Sequence, residues 1–202
     1  ASEYTDLFDA AEVNFDEKQE LATTIAGALG RRLDQLVLDS LSGVDFASDY
    51  SSQSFGGSSD ALAVDLLASA KTKLVANNVG FSILFGVIDA AGLSDLLNDD
   101  TITSGDYNSV KALVNGDINS FMGFNFIVLG TRAEGGLTSA TADTIDSFFF
   151  AQDAVGLAIG IDMKTTIDYI PERTSHLCTG MLKAGAAVRD PEGVIRVQYD
   201  AD

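Results

Sequence analysis

The N-terminal part of the chain has the hydrophobic spacing of one long amphipathic helix. Between positions 14 and 42, large aliphatic residues recur mostly at every fourth position, which places them on one helix face: Leu21, Ile25, Leu29, Leu33 and Leu36. Asp16, Glu17 and Glu20 crowd the first turns, where the helix dipole favours negative charge. We therefore predict a helix of roughly 40 Å, since each residue adds about 1.5 Å.

A polar loop and a second helix are predicted next. Residues 43–59 are rich in Ser, Gly and Asp, which favours a mobile loop. The pattern over 61–78 predicts a helix that is capped by Asp60. We expect its buried side to include Leu62, Leu66 and Val75.

Short elements fill the middle of the chain. Residues 80–88 form an apolar run of the length of a buried strand, and 89–99 have the pattern of a short helix. A short strand over 111–115 and another over 124–129 are predicted on either side of a turn. Residues 130–146 are small and polar and are expected to be a loop.

The C-terminal part is dominated by strands. The apolar pattern over residues 147–160 predicts a strand that continues into a helical turn near Asp153. Alternation follows, with Met163, Thr165, Ile167 and Tyr169 on one face and Lys164, Thr166 and Asp168 on the other, and it resumes over 175–188. A turn at 190–193 precedes a last strand at 194–199. This order of elements predicts an α+β fold with long antiparallel strands.

Composition and charge exclude several classes of function. The 202 residues carry a net charge of −18, which argues against specific nucleic-acid binding as the main activity. Hydrophobic residues make up 46% of the chain, but no apolar run approaches the roughly 20 residues that span a bilayer, so no membrane association is expected. One cysteine cannot form an internal disulfide, which favours a reducing compartment.

His176 and Cys178 are the only histidine and the only cysteine, and they lie two positions apart. A thiolate beside an imidazole is a common nucleophile, but residues i and i+2 of a strand have Cβ atoms roughly 7 Å apart. No Gly-rich elbow or helix start lies nearby to lower the thiol pKa. We therefore expect a structural strand with one small buried thiol.

Other candidate chemistry is equally weak. The Gly56-Gly57 pair lacks the lysine of a phosphate-binding loop. Asp99, Asp100 and Asp106 lack the spacing of a calcium loop. We assign no catalytic, cofactor-binding or metal-ligating residue and expect no cofactor. The residues alone leave two classes open: a structural or assembly protein, and an enzyme with carboxylates and a divalent ion.

Three segments resemble the major capsid proteins of tailed bacteriophages, which have the Hong Kong 97-like fold. Residues 10–41, with "ALGRRLDQL", are similar to the spine helix of that family. Residues 104–128, with "ALVNG" before "GFNFIV", are similar to part of its axial domain. Residues 148–197 contain "AVGLAIG" and "DYIPERTS", which resemble its C-terminal block. The three segments occur in the family's order and cover well over half of the chain.

The resemblance implies a three-part domain arrangement. Residues 1–58 would hold the spine helix and following loop of an elongated peripheral domain. Residues 59–160 would form a compact α/β axial domain. Residues 161–202 would return to the peripheral domain with long strands and the C-terminal strand.

The same resemblance implies a non-enzymatic viral structural protein. It would self-assemble, through pentamers and hexamers, into the icosahedral capsid of a tailed phage head that encloses double-stranded DNA without reading its sequence. Its partners would be other copies and a portal protein, with scaffold, maturation protease and decoration proteins as further candidates. It would be located in the virion after assembly in the host cytoplasm.

Two further expectations follow from the resemblance. Family members have an N-terminal arm and an extended loop before the spine helix, so this chain, which lacks an initiator Met, is expected to be a portion or a processed form of a longer product. An encapsulin-type compartment shell, which encloses cargo enzymes, is the nearest alternative; the acidic metal-dependent enzyme is more remote.

The stretch around Pro171 is predicted to lie in the middle of one long peripheral strand. Proline suits a bend or an edge position, because it cannot donate to a ladder of hydrogen bonds. Glu172 and Arg173 at this bend are predicted to face a neighbouring subunit.

Overall fold

The computed structural model describes residues 1–6, 16–57, 60–79, 82–98, 120–137, 139–141 and 144–200. Within these residues there are three α-helices: α1 (Glu17–Ser42), α2 (Val64–Ala76) and α3 (Ala90–Asn98). The strands are β1 (Ser2–Asp6), β2 (Ser54–Gly56), β3 (Leu84–Ile88), β4 (Ser120–Phe121), β5 (Phe124–Val128), β6 (Ser139–Thr141), β7 (Thr144–Ala151), β8 (Val155–Ile170), β9 (Ser175–Val188) and β10 (Val194–Asp200).

Helix α1 follows the predicted span closely. Asp16 is its N-cap, with a side-chain oxygen that accepts a hydrogen bond from the Gln19 N–H at 3.5 Å. The predicted apolar face is confirmed at its centre, where Ile25 is buried, and the other four members of the stripe are half-buried. Further along, the helix also buries Leu38 and Leu41, which belong to the main core.

A three-stranded antiparallel sheet has the order β1-β9-β8. Helix α1 packs mainly on β9, and Gly180 makes this close approach possible: a Cβ there would lie 2.9 Å from Leu29 Cδ1 and nearer still to Ile25. Any larger residue at position 180 would push the helix away from the sheet.

Strands β8 and β9 form a hairpin, which corrects one prediction. A 3₁₀ turn at Pro171–Arg173 and Thr174, with φ 52°, reverse the chain between them. The stretch around Pro171 is therefore the end of a hairpin, and the prediction of one continuous bent strand is wrong. The break at Pro171 was predicted correctly. The alternation of side chains on either side of the break is the same whether the strand bends or the chain reverses, so the sequence pattern does not distinguish the two.

The larger sheet contains seven strands in the order β2-β10-β7-β3-β5-β4, with β6 paired to β7. β10 runs parallel to β2 and antiparallel to β7, and β3 runs parallel to β5. Antiparallel pairing joins β3 to β7. The sheet mixes parallel and antiparallel strand pairs, and the chain also forms helices, which confirms the α+β class.

The main core lies between this larger sheet and the helices. It includes Leu41 from α1, Leu67 and Leu74 from α2, and Leu96 from α3, all of them at most 1% exposed. Phe149 on β7 meets Phe124 on β5 edge to face, with ring centroids 5.1 Å apart. The apolar run over 80–88 supplies β3, as predicted.

Helix α2 differs from its prediction in both start and phase. It begins at Val64 with Ala63 as N-cap, so the expected cap at Asp60 is wrong. Of the three residues expected to be buried, Leu62 is fully buried just before the helix, Leu66 is half-buried against the core, and Val75 is exposed. The helix itself buries Leu67, Ala70 and Leu74. The aliphatic and alanine-rich segment offers more than one possible apolar face, and contact with the sheet selects among them.

Both predicted loops contain strands. The 43–59 region includes a 3₁₀ turn at Ser51–Gln53 and strand β2, and the 130–146 region includes β6 and the start of β7. Strand β1 was not predicted. The predicted strand at 111–115 and the calcium candidates Asp99, Asp100 and Asp106 lie outside the described residues.

Candidate assembly surfaces

Cys178 and His176 lie on the same face of β9, as predicted, but their surroundings differ. The Cys178 side chain is fully buried, and its backbone pairs with Glu3 on one side and Ile167 on the other. Burial raises the pKa of the Cys178 thiol, because a thiolate loses its hydration there, and the charge of Lys18 opposes this only partly. His176 stacks at a tilt on Tyr169, with centroids 5.2 Å apart. This arrangement suits packing and not nucleophilic chemistry.

The turn between β8 and β9 presents Glu172 and Arg173 to solvent. The Arg173 guanidinium lies over the Tyr4 ring, 5.0 Å from its centroid, so the arginine contacts its own subunit. Whether these two charges also face a neighbour stays a prediction.

Strand β8 carries large apolar side chains that the described residues cover only in part. Six of its large side chains are between 43% and 52% exposed: Leu157, Ile159, Ile161, Met163, Ile167 and Tyr169. Single exposed apolar residues are common, but six along one strand form a patch of the kind that marks an interaction site. A register shift places Ile161 on the opposite face from Ile159, since they pair with the adjacent residues Lys183 and Ala184. Sequence reasoning placed three of them on one strand face without recognising that the face is exposed.

Loop 130–137 is fixed on helix α1 by a buried glutamine. The Gln35 Oε1 accepts the Gly135 N–H at 3.0 Å, and its Nε2 donates to Asp39 Oδ1 at 2.7 Å. Gly135 has φ 73°, and a Cβ there would lie 2.7 Å from the Cβ of Arg31. Arg32 and Glu134 add an exposed ion pair at 3.8 Å. Gln35 interrupts the leucine stripe, which is the signal for it in the sequence.

A buried polar cluster lies under α3. The Tyr199 hydroxyl donates to Asp89 Oδ1 at 2.7 Å and accepts from Ser147 Oγ at 2.9 Å. Asp89 Oδ1 also accepts the Gly92 N–H at 2.9 Å. Asp89 and Ser147 are at most 2% exposed, so these contacts replace water for both.

The described residues show neither a metal site nor a membrane span. Within the ranges that the structure covers, no three or more His, Cys, Asp or Glu side chains converge in a way that could hold a metal ion. No helix in those ranges combines the length and apolar character needed to cross a membrane.

Comparison with known proteins identifies the family. A family model described as "Phage capsid protein" matches residues 1–201. The chain belongs to the phage capsid protein family. No curated protein matches its sequence.

Solved structures show the capsid fold directly. A chain from Mycobacterium phage Che8 superposes with a TM-score of 0.77 at 21% identity, and the match covers 98% of this chain and 68% of that one. The capsid structure of cyanophage P-SCSP1u gives 0.73 at 17% identity, with 98% and 71% covered. The capsid of Helicobacter pylori bacteriophage KHP30 gives 0.74 at 12% identity, with 99% and 74% covered.

These likenesses confirm the predicted Hong Kong 97-like fold. Together with the family they make this phage capsid protein a structural major capsid protein and a component of the virion. The encapsulin-type alternative is not favoured.

Proposed function

We propose that this phage capsid protein assembles, as pentamers and hexamers of itself, into an icosahedral shell around the double-stranded DNA of a tailed phage. The observation that carries the proposal is the family match over residues 1–201, joined to a fold shared with assembled phage capsids. The exposed apolar patch on β8 adds support, because a subunit of a shell needs surfaces that are covered only on assembly.

The charge suits a container for DNA. A subunit with a net charge of −18 repels the packaged phosphates, so that the genome is enclosed without being bound. Enclosing DNA in this way requires no contacts with specific bases. Assembly in the host cytoplasm and contact with a portal protein, scaffold, maturation protease or decoration proteins belong to this proposal as expectations.

We further propose that the two sheets correspond to the two capsid domains. The sheet of β1, β9 and β8 with most of α1 would be the peripheral domain, and the seven-stranded sheet with α2 and α3 the axial domain. Strand β10 pairs with β2 and β7 of the larger sheet, and β8 begins at Val155. The axial domain would therefore include 194–200, and the C-terminal peripheral segment would run from about residue 155 to 188, in place of 161–202.

The role is proposed to be non-enzymatic. The one thiol is buried and its pKa is raised, which removes the most reactive nucleophile of the chain from solvent. Purified protein should show no turnover in assays for hydrolase or metal-dependent activity.

Electron microscopy of the purified protein tests the main proposal. We expect closed shells with pentameric and hexameric units, and analytical ultracentrifugation should show a matching fast-sedimenting species. A chain that remains a monomer at high concentration would contradict the proposal.

A further inference from the structure

Three arginines lie close together where loop 130–137 packs on helix α1. Arg31 and Arg32 are on the helix, and Arg132 is in the loop. The backbones meet at Gly135: a Cβ there would lie 3.0 Å from the Cα of Arg31, and a Cβ at the next residue would lie 2.6 Å from the N of Arg132. The three residues, which we call the arginine patch, therefore occupy one small region of the surface.

The positive charges of the arginine patch are largely unpaired. Within the described ranges, no carboxylate lies within ion-pair distance of Arg31 or Arg132. The Arg32 guanidinium lies 3.8 Å from the Glu134 carboxylate, but both side chains are more than half exposed, so water screens this pair. The chain has 30 acidic residues for its 12 basic ones, so a shortage of carboxylates does not explain the unpaired arginines.

The sign of the local charge is opposite to that of the whole chain. Residues 27–35 and 130–137 contain three arginines and two carboxylates, which gives a net charge of +1. A stretch of 17 residues with the average charge of the chain would carry about −1.5. Asp39 lies further along the helix and accepts a hydrogen bond from the Gln35 amide, which disperses part of its charge. An anion that most of the subunit repels is therefore attracted to this place.

The surface beside Arg31 has few side chains, because Gly27 and Gly30 precede it on α1. A Cβ at Gly27 would lie 3.5 Å from the Arg31 Nη1, so the guanidinium lies against this glycine, and a Cβ at Gly30 would meet nothing within 4 Å. The stem of Arg31 is held by Gly135, where a Cβ would lie 3.0 Å from the Arg31 Cγ. A bulky anion can thus reach a guanidinium whose stem is already ordered, which lowers the entropic cost of binding.

We propose that the arginine patch binds phosphate groups, and that in the assembled shell these are backbone phosphates of the enclosed DNA. A guanidinium is planar and always charged, and it can donate two parallel hydrogen bonds to one phosphate. Double-stranded DNA presents one negative charge per roughly 1.7 Å of its axis, a denser array than the scattered carboxylates of another copy. The inference rests on the proposed shell, which brings DNA to the subunit. The contact requires no base sequence and is a local exception to the repulsion between DNA and the acidic subunit.

Binding of a short DNA duplex to dissociated subunits tests the patch. The double variant Arg31→Gln, Arg132→Gln should bind a labelled duplex of about 20 base pairs at least about fivefold more weakly at low salt, and the slope of log K against log salt should fall by about 2. Arg173→Gln, in the turn between β8 and β9, is the matched control and should change neither. Equal binding by the unmodified protein and the double variant, or no binding by the unmodified protein, would overturn the inference. Fluorescence anisotropy measures all three proteins.

Glu134→Gln gives a test that a folding defect cannot imitate. The substitution removes a carboxylate beside the patch and frees Arg32 from its ion pair, so the duplex should bind about two- to threefold more tightly. A damaged fold would weaken binding instead. An unchanged or lower affinity would contradict the inference.

Sodium phosphate and sodium chloride at equal ionic strength distinguish the two sources of phosphate. Displacement of the duplex by phosphate at least about threefold more effectively than by chloride would show that the patch takes single phosphate groups. Equal displacement would show that it takes the array of phosphates on DNA. Both results support a phosphate site and identify its form.

Modification of arginines by a glyoxal reagent tests the contact inside shells. Arg31 and Arg132 should react at least about threefold more slowly in DNA-filled shells than in emptied shells, whereas Arg173 should react equally in both. Equal reaction of all three would overturn the contact with DNA. Full protection in emptied shells would also overturn it, since a neighbouring copy would then cover the patch. If the unmodified protein forms no shells, the proposed function fails, and the duplex measurement still decides whether the patch binds phosphate.

Discussion

The hydroxyl group of Tyr199 joins residues that are far apart in the chain. Asp89 is 110 positions away and Ser147 is 52 positions away, yet both bond to the same oxygen. Burial raises the pKa of Tyr199, and the nearby Asp89 carboxylate reinforces this, since a phenolate would be poorly hydrated and next to a negative charge. The Tyr199 side chain on β10 therefore connects β7 with Asp89, the residue that directly follows β3.

Tyr199→Phe tests this cluster. Removing the hydroxyl leaves a buried carboxylate and a buried serine each short of a partner, which should lower the free energy of unfolding by about 1–3 kcal/mol near neutral pH. Chemical denaturation measures it. Tyr169→Phe is the matched control, because Tyr169 is half exposed and its hydroxyl lies outside this cluster.

The two variants should also differ in how their stability depends on pH. Above the ordinary tyrosine pKa of 10.0 the unfolded chain ionises at this residue and the folded chain does not, so stability falls as pH rises beyond 10. This contribution should vanish in Tyr199→Phe and persist in Tyr169→Phe. Parallel pH profiles for all three proteins between pH 9 and 11 would contradict the assignment.

Helix α1 is the element that connects the two sheets. Its first half packs on β9, and its second half enters the main core through Leu38 and Leu41. Between these contacts, Gln35 fixes loop 130–137 to the helix through its bond to Gly135. The position of the helix relative to the larger sheet thus depends on one buried amide as well as on apolar packing.

Gln35→Ala should release loop 130–137. The variant loses both hydrogen bonds of the Gln35 amide, to Gly135 and to Asp39, so we expect about 1–2 kcal/mol lower stability and faster amide exchange at Gly135. Arg32→Ala removes only the exposed ion pair with Glu134 and should change stability by less than about 1 kcal/mol. Hydrogen exchange followed by mass spectrometry compares the two; equal effects would mean that the amide has no special role.

The sequence predicted most elements of the fold and little of how they pair. Strand β9 matches its predicted span, and the turn before β10 was placed correctly, because alternation and turn residues are local signals. Strand β2 was missed because three residues of a Ser- and Gly-rich segment become a strand only through pairing with β10. The exposure of β8 was missed because its alternation is the same whether or not anything covers it.

At the scale of the whole molecule, charge and apolar surface act in opposite directions. The net charge of −18 separates copies, while the patch on β8 favours their contact. The described residues contain few ion pairs, Arg32 with Glu134 and Arg196 with Asp146 among them, which leaves most carboxylates unneutralised within the subunit. Association should therefore depend strongly on the ionic environment.

Raising ionic strength should promote assembly. Between about 0.01 M and 0.15 M salt the screening length falls from roughly 30 Å to roughly 8 Å, which weakens repulsion more than apolar contact. Sedimentation velocity should show a growing assembled fraction over this range. NaCl and MgCl2 at equal ionic strength separate screening from specific cation binding. Dissociation on adding salt would show that ion pairs between subunits dominate instead.

The pairing of β10 with β2 also bears on how fast a subunit becomes ready to assemble. The Arg196 Nε donates to Ser54 Oγ across 142 positions of sequence, and the larger sheet is incomplete until that loop closes. Contacts of such high sequence separation slow folding, because chain entropy is lost before the contacts form. Newly made chains would thus spend time with unpaired apolar strands, at risk of aggregating, before they can join a shell.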